Sequence, residues 1–302
     1  MPRKNLLYYF TAPVVVILYL LSLLPFSVLY RFSDLLTFLL YKVIGYRKKV
    51  VRNNLQNSFP EKSIREIRYI EKKFYKHFTD VMVETMKLKT LSERTLRERF
   101  VFTEESCTLL DKYYQKGQSV VIALGHNGNW EWGGLSFGIT HQHLAIGVYH
   151  PLQNKIFDRY LNKMRQRTGV QLAPMKSLPR VIFSNRNKTF ALVLITDQTP
   201  SKKNAFWVRF LNQDTPFFTG TEKFSTKFDL PVIWASIYKE KRGYYRSELK
   251  LITTKPNAVA KEGWITKQYA KYLEEDIRKQ PETWLWSHRR WKHSKPDDVV
   301  LR

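Results

Sequence analysis

Cysteine is nearly absent from this chain of 302 residues. Cys107 is the single one, so a disulfide within the chain is excluded and a cysteine-based metal site is not expected. Glycine is also sparse, and no stretch rich in Pro, Gly and Ser separates one part of the chain from another. A hydrophobic fraction of 43% is enough for a packed core. These features predict one continuous folded domain behind an N-terminal segment.

Acidic residues are scarce relative to basic ones. Asp and Glu number 26 against 51 for Lys and Arg, which leaves a formal net charge of +25. A field of this sign attracts nucleic acid, an anionic membrane surface or an acidic protein carrier. The sequence contains no zinc-ligand spacing, RNA-recognition motif or glycine-rich phosphate loop, and nucleic acid is therefore not predicted as a partner.

A long uncharged run dominates the N-terminus. No charged residue occurs between Asn5 and Tyr30, and a helix of about 20 apolar residues crosses the hydrocarbon layer of a membrane. The run is too long for the apolar region of a signal peptide, and no small-residue cleavage site precedes the next charges. A transmembrane helix is therefore predicted in preference to a cleaved leader.

A shorter and more polar segment follows at residues 31–45, and it is predicted to be a helix lying in the membrane interface. Four basic residues then occur between Arg47 and Arg52, more than precede the uncharged run. Because such residues favour the cytoplasmic side, residues 1–45 are predicted to anchor a cytoplasmic-face domain at residues 46–302. A solvated basic loop that never touches lipid fits the same cluster.

Alternating periodicities in the body predict an α/β fold with a mixed central sheet flanked by helices. Helices are expected where apolar residues recur at steps of three and four, at residues 63–87, 154–167 and 262–279. Strands are expected at the short apolar runs 118–125, 144–149, 190–196, 231–238 and 246–253. Binding sites in such sheets gather at the carboxyl ends of strands, and His126 and Asp197 both fall there.

His126 directly follows the first predicted strand, and Glu131 stands five positions later. An imidazole accepts a proton near neutral pH, and a carboxylate can fix its tautomer and stabilise the imidazolium. Where the segment turns into a helix, the two side chains come near one face. We therefore predict a catalytic pair. A capping histidine beside a surface glutamate fits the same spacing, whereas metal ligation lacks a second His or Cys nearby.

Two ordered motifs carry the strongest resemblance to a known family: HNGNWE at residues 126–131 and PETWLWSHRRWK at residues 281–292. Shorter ones follow the same order, GVYHPL at 147–152, TDQ at 196–198 and FTG at 218–220. Together they resemble the lipid A biosynthesis acyltransferases, the lauroyl and myristoyl transferases, within the H-x4-D/E glycerolipid acyltransferase superfamily. The resemblance covers nearly the whole chain.

The resemblance implies transfer of a fatty acyl chain from a thioester, carried by acyl carrier protein or CoA, to a hydroxyl of a lipid A precursor at the inner (cytoplasmic) membrane. It implies His126 as general base, Glu131 as its partner, and neither a metal nor a cofactor. Four further residues are predicted to contact substrate: Asn129, His150, Arg165 and Asp197.

Two positions depart from the family's pattern. His150 stands where an arginine usually precedes Pro151, and TPSKK at residues 199–203 replaces a usual Asp-Gly-Pro turn. A neutral histidine does not bind phosphate or carboxylate bidentately, as arginine does. Acylation of another lipid, such as a phospholipid, an ornithine lipid or another aminolipid, is therefore an alternative. A non-catalytic membrane protein that binds lipid is a further one.

Overall fold

The computed structural model of the protein describes residues 3–201, 205–258, 262–297 and 301, with side chains from residue 13 onward. The helices are α1 (Arg3–Leu23), α2 (Phe26–Phe38), α3 (Lys48–Ser58), α4 (Ile64–Lys87), α5 (Glu93–Arg99), α6 (Glu104–Gln115), α7 (Trp130–Thr140), α8 (Lys155–Arg165), α9 (Leu178–Ser184), α10 (Gly220–Phe228) and α11 (Trp264–Lys279). The strands are β1 (Phe100–Phe102), β2 (Val120–Leu124), β3 (Leu144–Tyr149), β4 (Gln171–Pro174), β5 (Phe190–Ile195), β6 (Ala205–Phe210), β7 (Gln213–Phe218), β8 (Val232–Lys241) and β9 (Tyr244–Thr253).

Seven strands form a mixed sheet in the order β1-β9-β8-β2-β5-β3-β4. Its neighbouring strands run parallel, except for β8 and β9, which form an antiparallel hairpin. The strands β6 and β7 pair with each other in a separate antiparallel hairpin. Helices cover the sheet, and the predicted α/β class with a mixed central sheet is confirmed.

The centre of the sheet is buried on both faces. Val120, Ile122 and Leu124 of β2 pack into one apolar cluster, together with residues of α5, α6 and α7. Val121 and Ala123 alternate with them, and they pack into clusters formed with α9 and α11 respectively. Successive side chains of a strand point to opposite faces, so a continuous apolar run is what a doubly covered strand requires.

Each predicted helix and strand is present, with ends that differ by a few residues. The helix predicted at residues 63–87 is α4, which begins with a capping box in which the Ser63 side chain and Glu66 bond each other's backbone N–H. The strands β1, β4, β6 and β7 were not predicted. β1 and β4 have only three and four residues, and β7 begins with polar residues.

The predicted transmembrane helix is not supported, because none of the helices in the described part of the chain is both long and apolar enough to span a bilayer. The uncharged run is divided between α1 and α2, with Pro25 as the residue before α2. The side chains of Arg3 and Lys4, used to predict orientation, lie outside the described residues. The segment predicted as an interfacial helix is helical, since α2 continues into a π-helical turn at Leu39–Val43.

The inner side of α2 is fixed to α4 by buried hydrogen bonds. Ser33 donates to Asp80 over 2.8 Å, and the Tyr30 hydroxyl donates to Glu84 over 2.8 Å. The same helices and the following turn also carry exposed apolar side chains, which we together call the N-terminal apolar face: Val14, Val16, Ile17, Tyr19, Leu20, Leu23, Val28, Leu35, Phe38, Val43, Ile44 and Tyr46.

Gly128 and Gly134 form a matched pair for testing this part of the fold. Gly128 has a φ of +57°, and a Cβ there would lie 2.6 Å from Ile237 Cγ2, whereas a Cβ at Gly134 within α7 has open space. Gly128→Ala should lower the free energy of unfolding by about 2–4 kcal/mol through backbone strain and overpacking. Gly134→Ala should raise it by about 0.5–1 kcal/mol. Urea denaturation measures both, and equal effects would contradict the assigned backbone geometry.

Candidate active site

The candidate site lies where two neighbouring parallel strands end. Leu124 of β2 is paired with Ile195 of β5, and each strand continues for two residues to reach His126 and Asp197 respectively. The two segments stay hydrogen-bonded just beyond the strands, since the Thr196 N–H donates to the Leu124 carbonyl oxygen over 3.0 Å. The sheet register therefore brings an imidazole and a carboxylate to the same edge.

Asp197 holds His126 through both of its carboxylate oxygens. Oδ1 lies 2.5 Å from His126 Nδ1, and Oδ2 accepts from the His126 backbone N–H over 2.7 Å. The indole N–H of Trp284 donates to Oδ2 over 2.8 Å. Only 2% of the Asp197 side chain is exposed, so these contacts replace the water that a carboxylate otherwise needs. The arrangement fixes both the position and the rotation of the imidazole.

The same contacts keep Asp197 ionised. Burial alone would raise the pKa of this carboxyl group, but the charge of His126, its two hydrogen bonds and the Trp284 hydrogen bond outweigh burial and lower the pKa to about 2. A carboxylate that stays ionised near neutral pH favours a proton on Nδ1. Nε2 is then the nitrogen that is able to accept a proton from another molecule.

The remaining surroundings of the imidazole form a narrow crevice. Gln198, Leu285 and His288 line it together with His126 itself, and the Gln198 amide nitrogen lies 3.5 Å from His126 Nε2. The ring of Trp130 meets the imidazole edge-on with centroids 4.9 Å apart. Of the His126 side chain, 13% is exposed, so the reactive nitrogen lies at the surface of a mostly closed site.

Glu131 does not take the place that the sequence predicted for it. Its carboxylate forms a two-point ion pair with Arg165 of α8, with 2.8 Å between Arg165 Nε and Glu131 Oε2. The prediction assumed that residues 126–131 share one helical face, but α7 begins only at Trp130. Asp197, predicted to contact substrate, is the carboxylate that bonds His126, and the direct His126–Glu131 contact was wrong.

Asn129, also predicted to contact substrate, is fully buried and caps α7. Its side-chain oxygen accepts from the Trp132 backbone N–H over 2.9 Å, and its amide donates to Glu84 over 2.7 Å. Glu84 accepts in addition from the hydroxyls of Tyr30 and Tyr245. Asn129 therefore shapes the turn between His126 and α7, and its buried position leaves it no direct route to substrate.

Buried ionisable groups surround the turn between His126 and α7. Burial raises the pKa of Glu84 to about 7, although hydrogen bonds from Tyr245 and Tyr30 oppose the rise. Burial lowers the pKa of His77 well below its usual value, and its Nε2 lies 3.2 Å from the Gly128 carbonyl oxygen. Because both groups lose water on folding, they require the protein contacts that hold the turn in place.

The C-terminal motif at residues 281–292 borders the site. Trp284 and Trp286 are buried, and the Thr199 hydroxyl, just after Gln198, donates to the carbonyl oxygen of Arg290 over 2.8 Å. Trp284 thus packs in the core, and its hydrogen bond to Asp197 was not predicted from the sequence. In the sequence, Trp284 was marked only by the match to a C-terminal motif, and such a match does not identify a hydrogen-bond partner for the indole.

His150 lies exposed just beyond β3. Its contact with substrate stays a prediction, as does that of Arg165, whose side chain is 29% exposed beside Glu131. Lys202 and Lys203, in the stretch that departs from the family's turn, lie outside the described residues.

Comparison with known proteins gives one family. The bacterial lipid A biosynthesis acyltransferase family matches residues 2–293. The chain is similar to the lipid A biosynthesis lauroyltransferase of Escherichia coli K12, with 26% identity over 292 residues that cover 95% of this chain and 92% of the relative. It is also similar to the E. coli K12 lipid A biosynthesis palmitoleoyltransferase, with 22% identity over 282 residues that cover 91% of this chain and 89% of the relative.

Protonation of Asp197 should contribute to acid denaturation. Its folded-state pKa of about 2 lies below the ordinary 3.8, so its stabilisation is complete above pH 4 and is lost as the pH falls toward 2. The loss should amount to about 2 kcal/mol of unfolding free energy. Urea unfolding of wild type and Asp197→Asn across this range measures it, because the variant lacks the titrating group. Parallel pH curves would contradict the depressed pKa.

Proposed function

The chain belongs to the bacterial lipid A biosynthesis acyltransferase family and is thus an acyltransferase, and we propose that it transfers a fatty acyl chain from a thioester to a hydroxyl of a lipid A precursor. The observation that carries the proposal is the His126 imidazole, held at Nδ1 by the buried carboxylate of Asp197. Such a pair is suited to take a proton from a hydroxyl group.

The proposed reaction begins when His126 Nε2 accepts the proton of the acceptor hydroxyl. The oxygen attacks the thioester carbonyl carbon, and the carbonyl electrons move to its oxygen. When the carbonyl re-forms, the carbon–sulfur bond breaks and the leaving sulfur takes the proton back from the imidazolium. Asp197 stabilises the imidazolium between the two transfers without itself accepting a proton.

Glu131 keeps a place in the proposed site through Arg165. A guanidinium held at two points by a carboxylate is fixed in direction, and 29% of the Arg165 side chain is exposed. We assign Arg165 to the negative charge that develops on the thioester oxygen or to an anionic part of the acceptor. Glu131 is then a positioning residue that acts through Arg165.

The proposed acyl donor is acyl carrier protein or acyl-CoA. Both are anionic, and the net charge of +25 on this chain would raise the rate of encounter with either. The donor chemistry requires only a thioester, so the proposed mechanism is the same for both.

We also propose that the protein works at the cytoplasmic face of the inner membrane, bound through the N-terminal apolar face. Its exposed side chains include Ile17, Leu20 and Phe38, each more than half exposed. Helices with such a face lie in the lipid interface, and the neighbouring basic residues between Arg47 and Arg52 favour anionic headgroups. The acceptor would then diffuse to the site within the membrane plane.

The acceptor could be a different lipid, and His150 is the observation in favour of this alternative. It is exposed beyond β3, where the family usually carries arginine. Mass spectrometry of lipids from cells with and without the protein tests the acceptor, because the lipid that loses an acyl chain identifies it.

Loss of the imidazole should abolish general-base catalysis. His126→Ala should lower kcat by about 10²–10⁴-fold while leaving expression and membrane recovery intact. His293→Ala is the control, since His293 lies in the C-terminal tail outside the crevice. Turnover is measured in membranes with a lipid A precursor and acyl-loaded carrier protein. Wild-type rates in membrane-bound His126→Ala would refute the mechanism.

The two carboxylates should differ in their effect on turnover. Asp197→Asn removes the group that fixes the imidazole tautomer and should lower kcat by about 10³–10⁴-fold. Glu131→Gln loosens Arg165 instead and should cost at most about 10²-fold. Single-turnover assays of both variants give the comparison. A larger loss for Glu131→Gln would restore the pairing predicted from the sequence.

A further inference from the structure

A second cavity lies apart from the His126 crevice, beside the turn between α1 and α2. It has a volume of about 440 Å³, and its wall includes Phe26, Lys87, Glu98, Arg99 and Tyr244. The residues that line it belong to α2, α4, α5 and β9 and to the loop after α4, and none of them lines the crevice around His126. The site proposed above makes no use of this cavity.

Two cations of the cavity wall are held in place without being neutralised. Lys87 Nζ donates to the carbonyl oxygens of Ser22 and Leu24, over 2.8 Å each. Arg99 donates to the Gly243 carbonyl oxygen over 3.2 Å. Carbonyl oxygens carry no formal charge, so these contacts neutralise neither side chain, although burial lowers the pKa of Lys87.

The Arg99 guanidinium is also oriented by aromatic rings. Its Cζ lies 3.9 Å from the ring centroid of Phe26 and 4.6 Å from that of Tyr244. Stacking of this kind fixes the plane of the guanidinium and leaves its edge N–H groups for a ligand. A fixed guanidinium is prepared for an anion with several oxygens, because little side-chain freedom is lost on binding.

Hydroxyl groups complete the wall on the side of α5. Thr90, Ser92 and Thr95 line the cavity, and the Ser92 and Thr95 hydroxyls lie 2.8 Å apart. Glu98 lines it as well, but its carboxylate is engaged by Arg94 over 3.0 Å. The Thr90 hydroxyl donates to the Ser22 carbonyl oxygen, so the lysine and the oriented arginine are the main donors that the cavity offers to phosphate oxygens.

The position of the cavity indicates where the phosphate would come from. Phe26 begins α2, and Leu23 and Val28 on either side of it belong to the N-terminal apolar face. On its inner side, Phe26 packs against Trp132 of α7 with ring centroids 5.9 Å apart. The cavity thus lies between the surface proposed to enter the membrane and the helix that begins just after His126.

We propose that this cavity binds the phosphate of an anionic lipid headgroup through Lys87 and Arg99. The inference rests on the proposed membrane binding but not on the proposed acyl transfer. A headgroup held here would dock the protein with α7 close to the bilayer, so that a lipid hydroxyl reaches His126 from the membrane side.

The test measures binding of the full chain to vesicles without any acyl donor. Vesicles of phosphatidylcholine alone are compared with vesicles that also contain phosphatidic acid. Arg99→Gln should weaken binding to the phosphatidic acid vesicles about fivefold. Arg97→Gln is the matched control, since it removes the same charge from the same helix, and its exposed side chain donates to the Ile139 carbonyl oxygen and does not line the cavity. The control should change affinity less than twofold.

Glu98→Gln changes the charge at the surface of the molecule in the opposite direction to Arg99→Gln. It removes a negative charge from the cavity wall and should tighten binding to phosphatidic acid vesicles, with no change on phosphatidylcholine alone. Equal weakening by Arg99→Gln and Arg97→Gln would overturn the proposal, because the effect would then follow net charge alone. Unchanged vesicle binding by the Glu98→Gln variant would also overturn the proposal.

Two further arms separate the possible failures. The first arm measures binding of inorganic phosphate at fixed ionic strength. Tight phosphate binding, together with equal binding of the protein to both vesicle types, would overturn the lipid assignment in favour of a free anion. His126→Ala should bind both vesicle types like wild type. Acyl transfer that fails in wild type, with vesicle binding as expected, would refute the proposed reaction and leave the cavity assignment standing.

Discussion

The rest of the site depends on one buried contact, in which the Asp197 carboxylate accepts from both the backbone and the imidazole of His126. A carboxylate that is 2% exposed is stable as an anion only if each oxygen is hydrogen-bonded. His126 at the end of β2 and the C-terminal Trp284 supply those donors to Asp197 at the end of β5, so the contact joins three distant parts of the sequence. Formation of the candidate site therefore requires the whole sheet to be assembled.

A second layer of polar contacts keeps the turn after His126 in shape. Glu84 of α4 receives hydrogen bonds from Asn129, Tyr245 and Tyr30, which join α7, β9 and α2 to one carboxylate. Such a network is costly to break, because each partner would be left buried without a hydrogen bond. It couples α2, on which part of the N-terminal apolar face lies, to the start of the helix beside the imidazole. The N-terminal apolar face and the geometry of the site are thereby linked through α4.

The proposed phosphate cavity extends the same connection. Phe26 stacks under Arg99 and packs against Trp132, so the wall of the cavity and the support of α7 share a side chain. The two proposals assign different roles to two separate sites on the protein. Lys87 and Arg99 would fix the protein relative to a headgroup, while His126 and Asp197 would act on a hydroxyl. Arg165 would receive the negative charge of the reaction.

The sequence by itself determined the α/β class, the strand that leads to His126 and the family, because apolar periodicity and short ordered motifs are local properties of the chain. Only the tertiary structure decided which carboxylate serves His126. Five residues of separation favoured Glu131, but β5 lies beside β2 in the sheet, and strand order cannot be read from local periodicity. The N-terminal run was misjudged for a related reason. Its composition suits a membrane span, but the chain divides it at Pro25 into two helices that pack on α4.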